Sequence, residues 1–351
     1  MTKARLLSLA TAAPANVTQQ TEATAVAQKM FGRRIFNAEM LKAIFQNTGI
    51  KTRRTVRPAE WYAEAHGWPE RNEIYLEAAE ALCLEAGRDA LAKAGIEASE
   101  VGTVVTVSST GIATPSLEAR IHGRLGLSPN VRRIPVFGLG CGGGVAGLSL
   151  AGRLAEATPD APVLLLVVEL CTLSCRPDEA TKANIIATAL FGDGAAAAVV
   201  SAAPGAKGRV LEAQGEHLWA DTLDIMGWRI DPVGFGVILA ASLPDFVEAR
   251  LPEALAGFLE RSAIPRADIS RFVCHPGGTR VLTALETAAG LESGSLDHER
   301  SVLADYGNMS APTVLFVLER VLASGEPGRL FTTALGPGFT LHFLALGPAD
   351  A

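Results

Sequence analysis

Short apolar runs alternate with longer stretches rich in Ala, Leu and Glu along most of the chain. The runs Val101 to Val107, Arg133 to Phe137, Val163 to Leu170 and Ala195 to Val200 are too short for helices and carry β-branched residues, so they read as strands. Glu77 to Ala94, Ser116 to Leu125 and Gly144 to Ala157 repeat their apolar positions at helical spacing. Strands separated by helices predict βαβ units, an α/β fold and a mostly parallel sheet covered on both faces. Near the start, Lys3, Arg5 and the Ala-rich stretch to Ala15 faintly resemble a signal peptide. The apolar core there, Leu6 to Ala10, is too short for one, so a first strand is expected instead. Ser201 to Gly208 is small and turn-rich, and it predicts a division into 1–205 and 206–351.

The second part replays the first. Val105-Thr106-Val107-Ser108-Ser109-Thr110-Gly111 lies over Phe272-Val273-Cys274-His275-Pro276-Gly277-Gly278, and Gly140-Cys141 lies over Gly307-Asn308. Both matches share one offset, 275 − 108 = 167 and 308 − 141 = 167. The strand-entry turns Gly192-Asp193-Gly194 and Gly336-Pro337-Gly338 pair as well, with a shorter offset, 336 − 192 = 144. Two related halves follow, with Cys141, His275 and Asn308 at the ends of equivalent elements.

Composition narrows the function. Hydrophobic residues are 48% and charged residues 19% of the 351, a balance that supports a sizeable core. A net charge of −6 leaves no basic footprint for nucleic acid. The longest apolar runs fall far short of the roughly 20 residues of a membrane span. Five cysteines, an odd number in a long chain, argue against a disulfide framework and for a reduced, cytoplasmic protein.

Cys141 lies in Gly138-Leu139-Gly140-Cys141-Gly142-Gly143-Gly144, between a strand and a helix. Glycines permit a sharp turn, and a helix start offers free N–H groups and positive dipole, a setting that favours a nucleophilic thiolate. Core packing does not explain so many glycines. His275 ends the run Arg271 to Cys274, at the carboxyl end of a strand, where α/β folds keep active groups. Cys274 should face the other way. His66, His122, His217, His298 and His342 lack such a glycine-rich turn and read as structural. Asn308 precedes the helical run Thr313 to Leu322 and by itself reads as a cap; its registration opposite Cys141 makes it a candidate catalytic amide.

Gly138, Gly140 and Gly143 also satisfy the dinucleotide pattern, with Glu169 ending the following strand, so an NAD-dependent dehydrogenase is a rival. That reading leaves His275, Asn308 and the repeat without a role. Cys171 and Cys175 have no second ligand pair at zinc spacing and read as pocket or core cysteines.

Gly138 to Gly144, Ala189-Leu190-Phe191-Gly192-Asp193-Gly194-Ala195-Ala196-Ala197, Cys274-His275-Pro276-Gly277-Gly278 and Tyr306-Gly307-Asn308-Met309-Ser310 together resemble the type III polyketide synthases. These are the chalcone synthase-like enzymes of the thiolase superfamily, and the motifs run in family order over nearly the whole chain. Glu169-Leu170-Cys171 and Asp224 to Trp228 look more like the bacterial alkylpyrone and alkylresorcinol synthases than the plant enzymes. The resemblance implies a homodimer with a five-layered αβαβα fold. It implies that Cys141 takes the acyl group of an acyl-CoA starter, and that His275 and Asn308 decarboxylate malonyl-CoA and steady the enolate. His275 would also hold the Cys141 thiolate as an ion pair. Phe191 matches a gatekeeping phenylalanine, and Val237 falls near a second one. Thr114 stands where plant enzymes carry a methionine that crosses the dimer, and Gly338 and Ser310 belong with these substrate-binding positions. A second oxyanion site would use N–H groups of Cys141 and of the turn Gly336 to Phe339. CoA phosphates would meet Lys51, Arg53 and Arg54, with Arg57 nearby. No metal or redox cofactor is implied. The other rivals are a ketoacyl synthase III-like single condensation and a Cys-His-Asn acyl hydrolase.

Overall fold

The computed structural model describes residues 2–32 and 38–348. In chain order the strands are β1 (Arg5–Ala12), β2 (Asn16–Gln19), β3 (Thr52–Thr55), β4 (Thr103–Val107), β5 (Arg132–Val136), β6 (Val163–Leu170), β7 (Asp193–Ser201), β8 (Arg209–Leu218), β9 (Met226–Asp231), β10 (Gly234–Leu239), β11 (Ile269–Cys274), β12 (Arg329–Gly336) and β13 (Thr340–Leu346). The helices are α1 (Gln20–Phe31), α2 (Ala38–Gln46), α3 (Trp68–Ala94), α4 (Leu117–Leu125), α5 (Gly143–Ala157), α6 (Lys182–Leu190), α7 (Leu243–Arg261), α8 (Thr279–Ala288), α9 (Asp297–Tyr306) and α10 (Ala311–Ala323). Among the described residues, no helix is long and apolar enough to cross a membrane.

The period-2 alternation of strands builds the layers. In β6, Val163, Leu165 and Val167 face one core with α5 and α10. Leu164, Leu166 and Val168 face the opposite core, against α3 and α4. The second half repeats the device. Val273, Leu330 and Leu344 join α5 and α10, while Phe272, Phe331 and Phe343 turn outward to α7 and α8. The result is five layers: α3 and α4, the first-half strands, α5 and α10, the second-half strands, α7 and α8. A fully buried Val or Leu on these strands contributes roughly 1.5–3 kcal/mol, so the central layer is the main adhesive between halves.

The strand order is β11-β12-β13-β8-β1-β7-β6-β4-β5. Numbered within each half, β4-β6-β7-β1 and β11-β12-β13-β8 have the same sequence of positions, and β5 is an addition to the first half. The halves meet where Arg5 and Leu6 pair with Val210 and Arg209. Ser108 and His275 both follow the second strand of this shared pattern, and Cys141 and Asn308 both precede a central helix. The expectation of a mostly parallel sheet is corrected. Within this sheet, parallel pairing is confined to β4 with β5, β4 with β6 and β11 with β12. The last strand of each half returns antiparallel to its predecessor; the tight β12–β13 turn permits only that pairing, whereas the β6–β7 connection is long and contains α6 yet brings its strand back on the same side. Helix α3 also starts nine residues before the predicted Glu77, with Pro69 in its first turn, a start signal the apolar spacing does not carry.

Candidate active site

The glycine turn around Cys141 exists to let two helix starts touch. A Cβ at Gly144 would sit 2.3 Å from the Ala311 carbonyl oxygen of α10. Gly140 has φ +45°, and a Cβ there would meet the Pro337 ring at 2.7 Å. With those Cβ atoms absent, the first turn of α5 packs on the first turn of α10. Cys141, inside the turn Gly140–Gly142 that leads into α5, and Ser310, one residue ahead of α10, are thereby brought close enough for the Ser310 hydroxyl to act on the thiol.

From Ser310 the contacts continue. Its N–H donates to Asn308 Oδ1 at 2.8 Å, and Asn308 Nδ2 donates to the Gly277 carbonyl at 3.2 Å. The Gly277 N–H in turn donates to the His275 carbonyl at 3.0 Å. One chain of bonds thus links Ser310, Asn308 and the His275 loop in the second half, and Cys141 of the first half lies beside its Ser310 end. Ser310 adopts φ 60°, a costly conformation for a non-glycine residue that concentrates at functional sites. His275 is 4% exposed, and neither ring nitrogen has a partner. Two buried, unpaired imidazole nitrogens are a deficit that a ligand with polar atoms can fill. Cys274 faces the outer core, so its neighbour His275 turns to the inner side as the strand alternation predicts.

The electrostatics correct one expectation. Burial pushes the Cys141 thiol up to about 11, against the favourable Ser310 hydroxyl, and burial pulls His275 down to about 3. The helix start does not yield a resting thiolate, and the absence of any bond to the imidazole leaves no ion pair with His275. Each group is buried without a countercharge, so each keeps its neutral form.

Beyond Ser310 the wall is aromatic. The Phe191 ring meets Trp228 edge-on at 6.4 Å, Trp228 stacks on Phe235 at 5.6 Å, and Phe235 meets Trp68 at 4.8 Å. Trp228 Nε1 donates to the Ser109 carbonyl at 2.9 Å. Val237 is buried two residues beyond Phe235 on β10, opposite Trp228. The sequence motifs do not include Phe235 or Trp68, although Phe235 stands two residues before Val237. Thr114 is exposed, close in sequence to the half-exposed Ile112. Gly338 lies in the β12–β13 turn, where the Phe339 N–H is committed to Thr222 Oγ1 at 2.5 Å. That N–H is therefore not free for an oxyanion.

Two other candidates change role. Arg53 was expected to meet a CoA phosphate, but its side chain is inside. Nη1 donates to the carbonyls of Thr188 at 2.7 Å and Phe191 at 2.8 Å, while Nη2 donates to Ala189 O at 2.7 Å and to Gln20. Within β3 it alternates with Thr52 and Arg54, which are half-buried, while Lys51, ahead of the strand, is exposed; Arg57 faces Glu77 at 3.7 Å. Strand β3 pairs with β2, and its alternation buries every second residue, which composition alone does not reveal. Glu169 does not offer a carboxylate to a ribose either. Its oxygens accept the Ser109 N–H at 2.9 Å and the Thr110 hydroxyl at 2.7 Å, and burial raises it to about 7.

Beside Phe191 lies a pocket open to solvent at its mouth, with Val26 and Met30 of α1, Tyr62, Cys171, Cys175 and Ala187 among its lining residues. Cys171 and Cys175 are thus cavity residues. Asp193 secures the same wall, accepting N–H groups of Val56 and Thr172 at 2.9 Å each.

The sequence pattern of the chalcone and stilbene synthases matches in both parts: the N-terminal domain over residues 1–204 and the C-terminal domain over 211–349. The chain is 40% identical to the 1,3,6,8-tetrahydroxynaphthalene synthase of Streptomyces peucetius subsp. caesius, over 88% of this chain and 83% of that protein. The crystal structure of the synthase of that name from Streptomyces coelicolor A3(2), a bacterial type III polyketide synthase, superimposes with a TM-score of 0.93 at 28% identity, covering 99% of this chain and all of the other. A second structure, PKS-I of the brown alga Ectocarpus siliculosus, gives 0.91 at 27% identity over 99% of this chain and 98% of that one. With a duplicated five-layer fold, a buried thiol of one half beside the Ser310 and Asn308 turn of the other, and both domain patterns in order, the chain belongs to the chalcone and stilbene synthase family and is a type III polyketide synthase, a decarboxylating condensing acyltransferase.

Proposed function

We propose that the enzyme loads an acyl-CoA starter on Cys141 and extends it with malonyl-CoA, releasing a cyclised alkylpyrone or alkylresorcinol. The observation that carries this reading is the buried His275 imidazole, unpartnered at both nitrogens, whose loop is bonded to Asn308 and through it to Ser310, beside whose hydroxyl Cys141 lies. In the loading step the thiol proton passes to the neutral imidazole, sulfur attacks the thioester carbonyl, the C–S bond to CoA breaks, and CoA leaves as the thiol by taking that proton back from the imidazolium. Because neither group is charged at rest, proton transfer has to accompany attack. In extension, malonyl-CoA loses CO₂. The electron pair released becomes an enolate whose oxygen takes hydrogen bonds from His275 and from the Asn308 amide. Preorganised donors aimed at developing negative charge are the usual largest catalytic contribution. The enolate carbon then attacks the Cys141 thioester and Cys141 leaves, ready for the next cycle.

The chamber beside Phe191, lined in part by Val26, Met30 and Ala187, is the volume we assign to the starter's hydrocarbon tail. Lys51 and Arg54, which keep solvent-facing surface, are the remaining CoA-phosphate candidates. A second copy of the chain would cover Phe137, 58% exposed just ahead of the glycine turn, together with Ile112 and Thr114; a sedimentation experiment giving only monomer removes that part. The central test incubates the enzyme with malonyl-CoA and acyl-CoAs of graded length. Expected are an acyl adduct on Cys141 by intact-protein mass spectrometry and cyclised products with more than one extension. A single β-ketoacyl product overturns the polyketide assignment for this chain, and tetrahydroxynaphthalene from malonyl-CoA alone overturns the long starter.

A further inference from the structure

We infer that Arg53 is a positioning residue of the active site, one that fixes Phe191 and Asn308 together. The inference rests on the roles proposed above for those two residues. Helix α6 ends at Leu190, and the last carbonyls of any helix lack partners within it and carry its negative dipole end. Arg53 reaches this end from β3. Its fork takes the carbonyls of Thr188, Ala189 and Phe191 at once, and Gln20 at the start of α1 completes the set. Gln20 Nε2 itself donates to the same Ala189 carbonyl at 3.1 Å and to Phe45 O and Thr48 Oγ1.

The held segment is the one that meets the catalytic amide. The Gly192 N–H donates to the Asn308 carbonyl at 3.0 Å, and the Asn308 N–H donates to the Leu190 carbonyl at 2.8 Å. The stem of Arg53 lies against both sides of this bridge: a Cβ at Gly192 or at Gly307 would meet its Cβ at 3.6 Å. A planar guanidinium bonded to three backbone carbonyls and an amide oxygen leaves the bridge little room to shift, and lysine, a point donor on a flexible stem, cannot reproduce the fork. Burial lowers Arg53 only to about 10, so it remains a cation at neutral pH. Among the described residues Cys141 has no hydrogen bond to Arg53, to 188–192 or to Asn308; its neighbour is the Ser310 hydroxyl, two residues beyond the bridge on the side of α10.

The arrangement separates two partial reactions. In Arg53→Lys, loading of Cys141 by a short acyl-CoA, followed by intact mass, should stay within about threefold of wild type. Malonyl-CoA decarboxylation should fall roughly 10- to 100-fold in kcat, the penalty of a misplacement near 1 Å, with KM little changed. Hydrogen exchange should rise roughly tenfold in peptides covering 187–192 and 306–310 together and not in β6. Gln20→Met, which removes one point of the clamp, should do the same to a smaller extent, and it serves if the lysine variant does not fold. In a double-mutant cycle, Arg53→Lys should cost nothing further once Asn308 is alanine. Equal losses in loading and decarboxylation, additive effects in the cycle, or unchanged exchange in the two peptides each overturn the inference. Wild-type protein that neither loads acyl groups nor decarboxylates malonyl-CoA overturns the functional reading beneath it, and the exchange result then still decides whether Arg53 holds the bridge.

Discussion

The two halves share a topology but differ at every position where chemistry sits. The residue after the second strand is His275 in one half. In the other it is Ser108, which accepts a hydrogen bond from the Tyr75 hydroxyl at 2.7 Å. The residue ahead of the central helix is Cys141 in the first half, in a turn of glycines, and Asn308 in the second, bonded on both sides. The connection to the last strand differs most. From Gly336 to Thr340 it is a tight turn pressed against Gly140 and Gly142. From Leu170 to Asp193 it is long, contains α6, and carries Cys171, Cys175, Ala187 and Phe191 into the chamber. Duplication therefore supplies equivalent places for the thiol and the amide, whereas the substrate space comes from where the halves are unlike.

The comparison is broken most severely at the nucleophile. Cys141→Ala should abolish the covalent starter adduct and lower product formation by at least roughly 10³-fold, since removal of a nucleophile leaves only binding and charge stabilisation. An adduct retained in that variant would place loading elsewhere. On the other half, Asn308→Ala should lower malonyl-CoA decarboxylation by roughly 10²–10³, the loss typical of one donor to a developing oxyanion, while adduct formation survives; ordinary decarboxylation rates would remove Asn308 from the mechanism. Where the halves touch, Gly144→Ala forces a Cβ into the Ala311 carbonyl. We expect a destabilisation of about 1–3 kcal/mol, read as a lower denaturation midpoint, and an unchanged midpoint would mean the helix starts do not need that closeness.

A subtler measure concerns proton placement. With the thiol held near 11 and His275 near 3, the thiolate fraction of the free enzyme grows with pH. Alkylation of Cys141 by iodoacetamide should therefore rise about tenfold per unit between pH 7 and 9. A plateau beginning near pH 6 would reveal an ion pair that the ligand-free structure lacks. The smallest effect belongs to the long connection. Ala187→Leu narrows the chamber and should shift preference toward shorter starters by roughly 10-fold, visible as competition between two acyl-CoAs; an unmoved ratio would show that the tail lies elsewhere.

Much of this was legible in advance because it is local or repeated. β6 was predicted over its observed span, and the common offset already set His275 and Asn308 against Ser108 and Cys141. The motifs of the resemblance named the family that the comparisons then gave. What misled was always a matter of environment. Arg53 looks like its neighbours Lys51 and Arg54 in a basic run, yet only Arg53 turns inward, to carbonyls that lie 135 residues or more along the chain. Glu169 completed a dinucleotide pattern on paper and in space is tied to Ser109 and Thr110. Cys141 has the helix start that normally favours a thiolate, and burial outweighs it.

The sequence by itself determined the alternation of strands and helices, the duplication and the identities of the reactive groups. These are set by spacing, composition and backbone freedom within a few residues, or by a repeat that needs no coordinates to see. Only the tertiary structure decided which charges are buried, which protons stay on, and which connection becomes a wall of the cavity. Solvation and hydrogen-bond partnership depend on what the rest of the fold places beside a group, and in this chain the decisive neighbours come from the far end of the sequence.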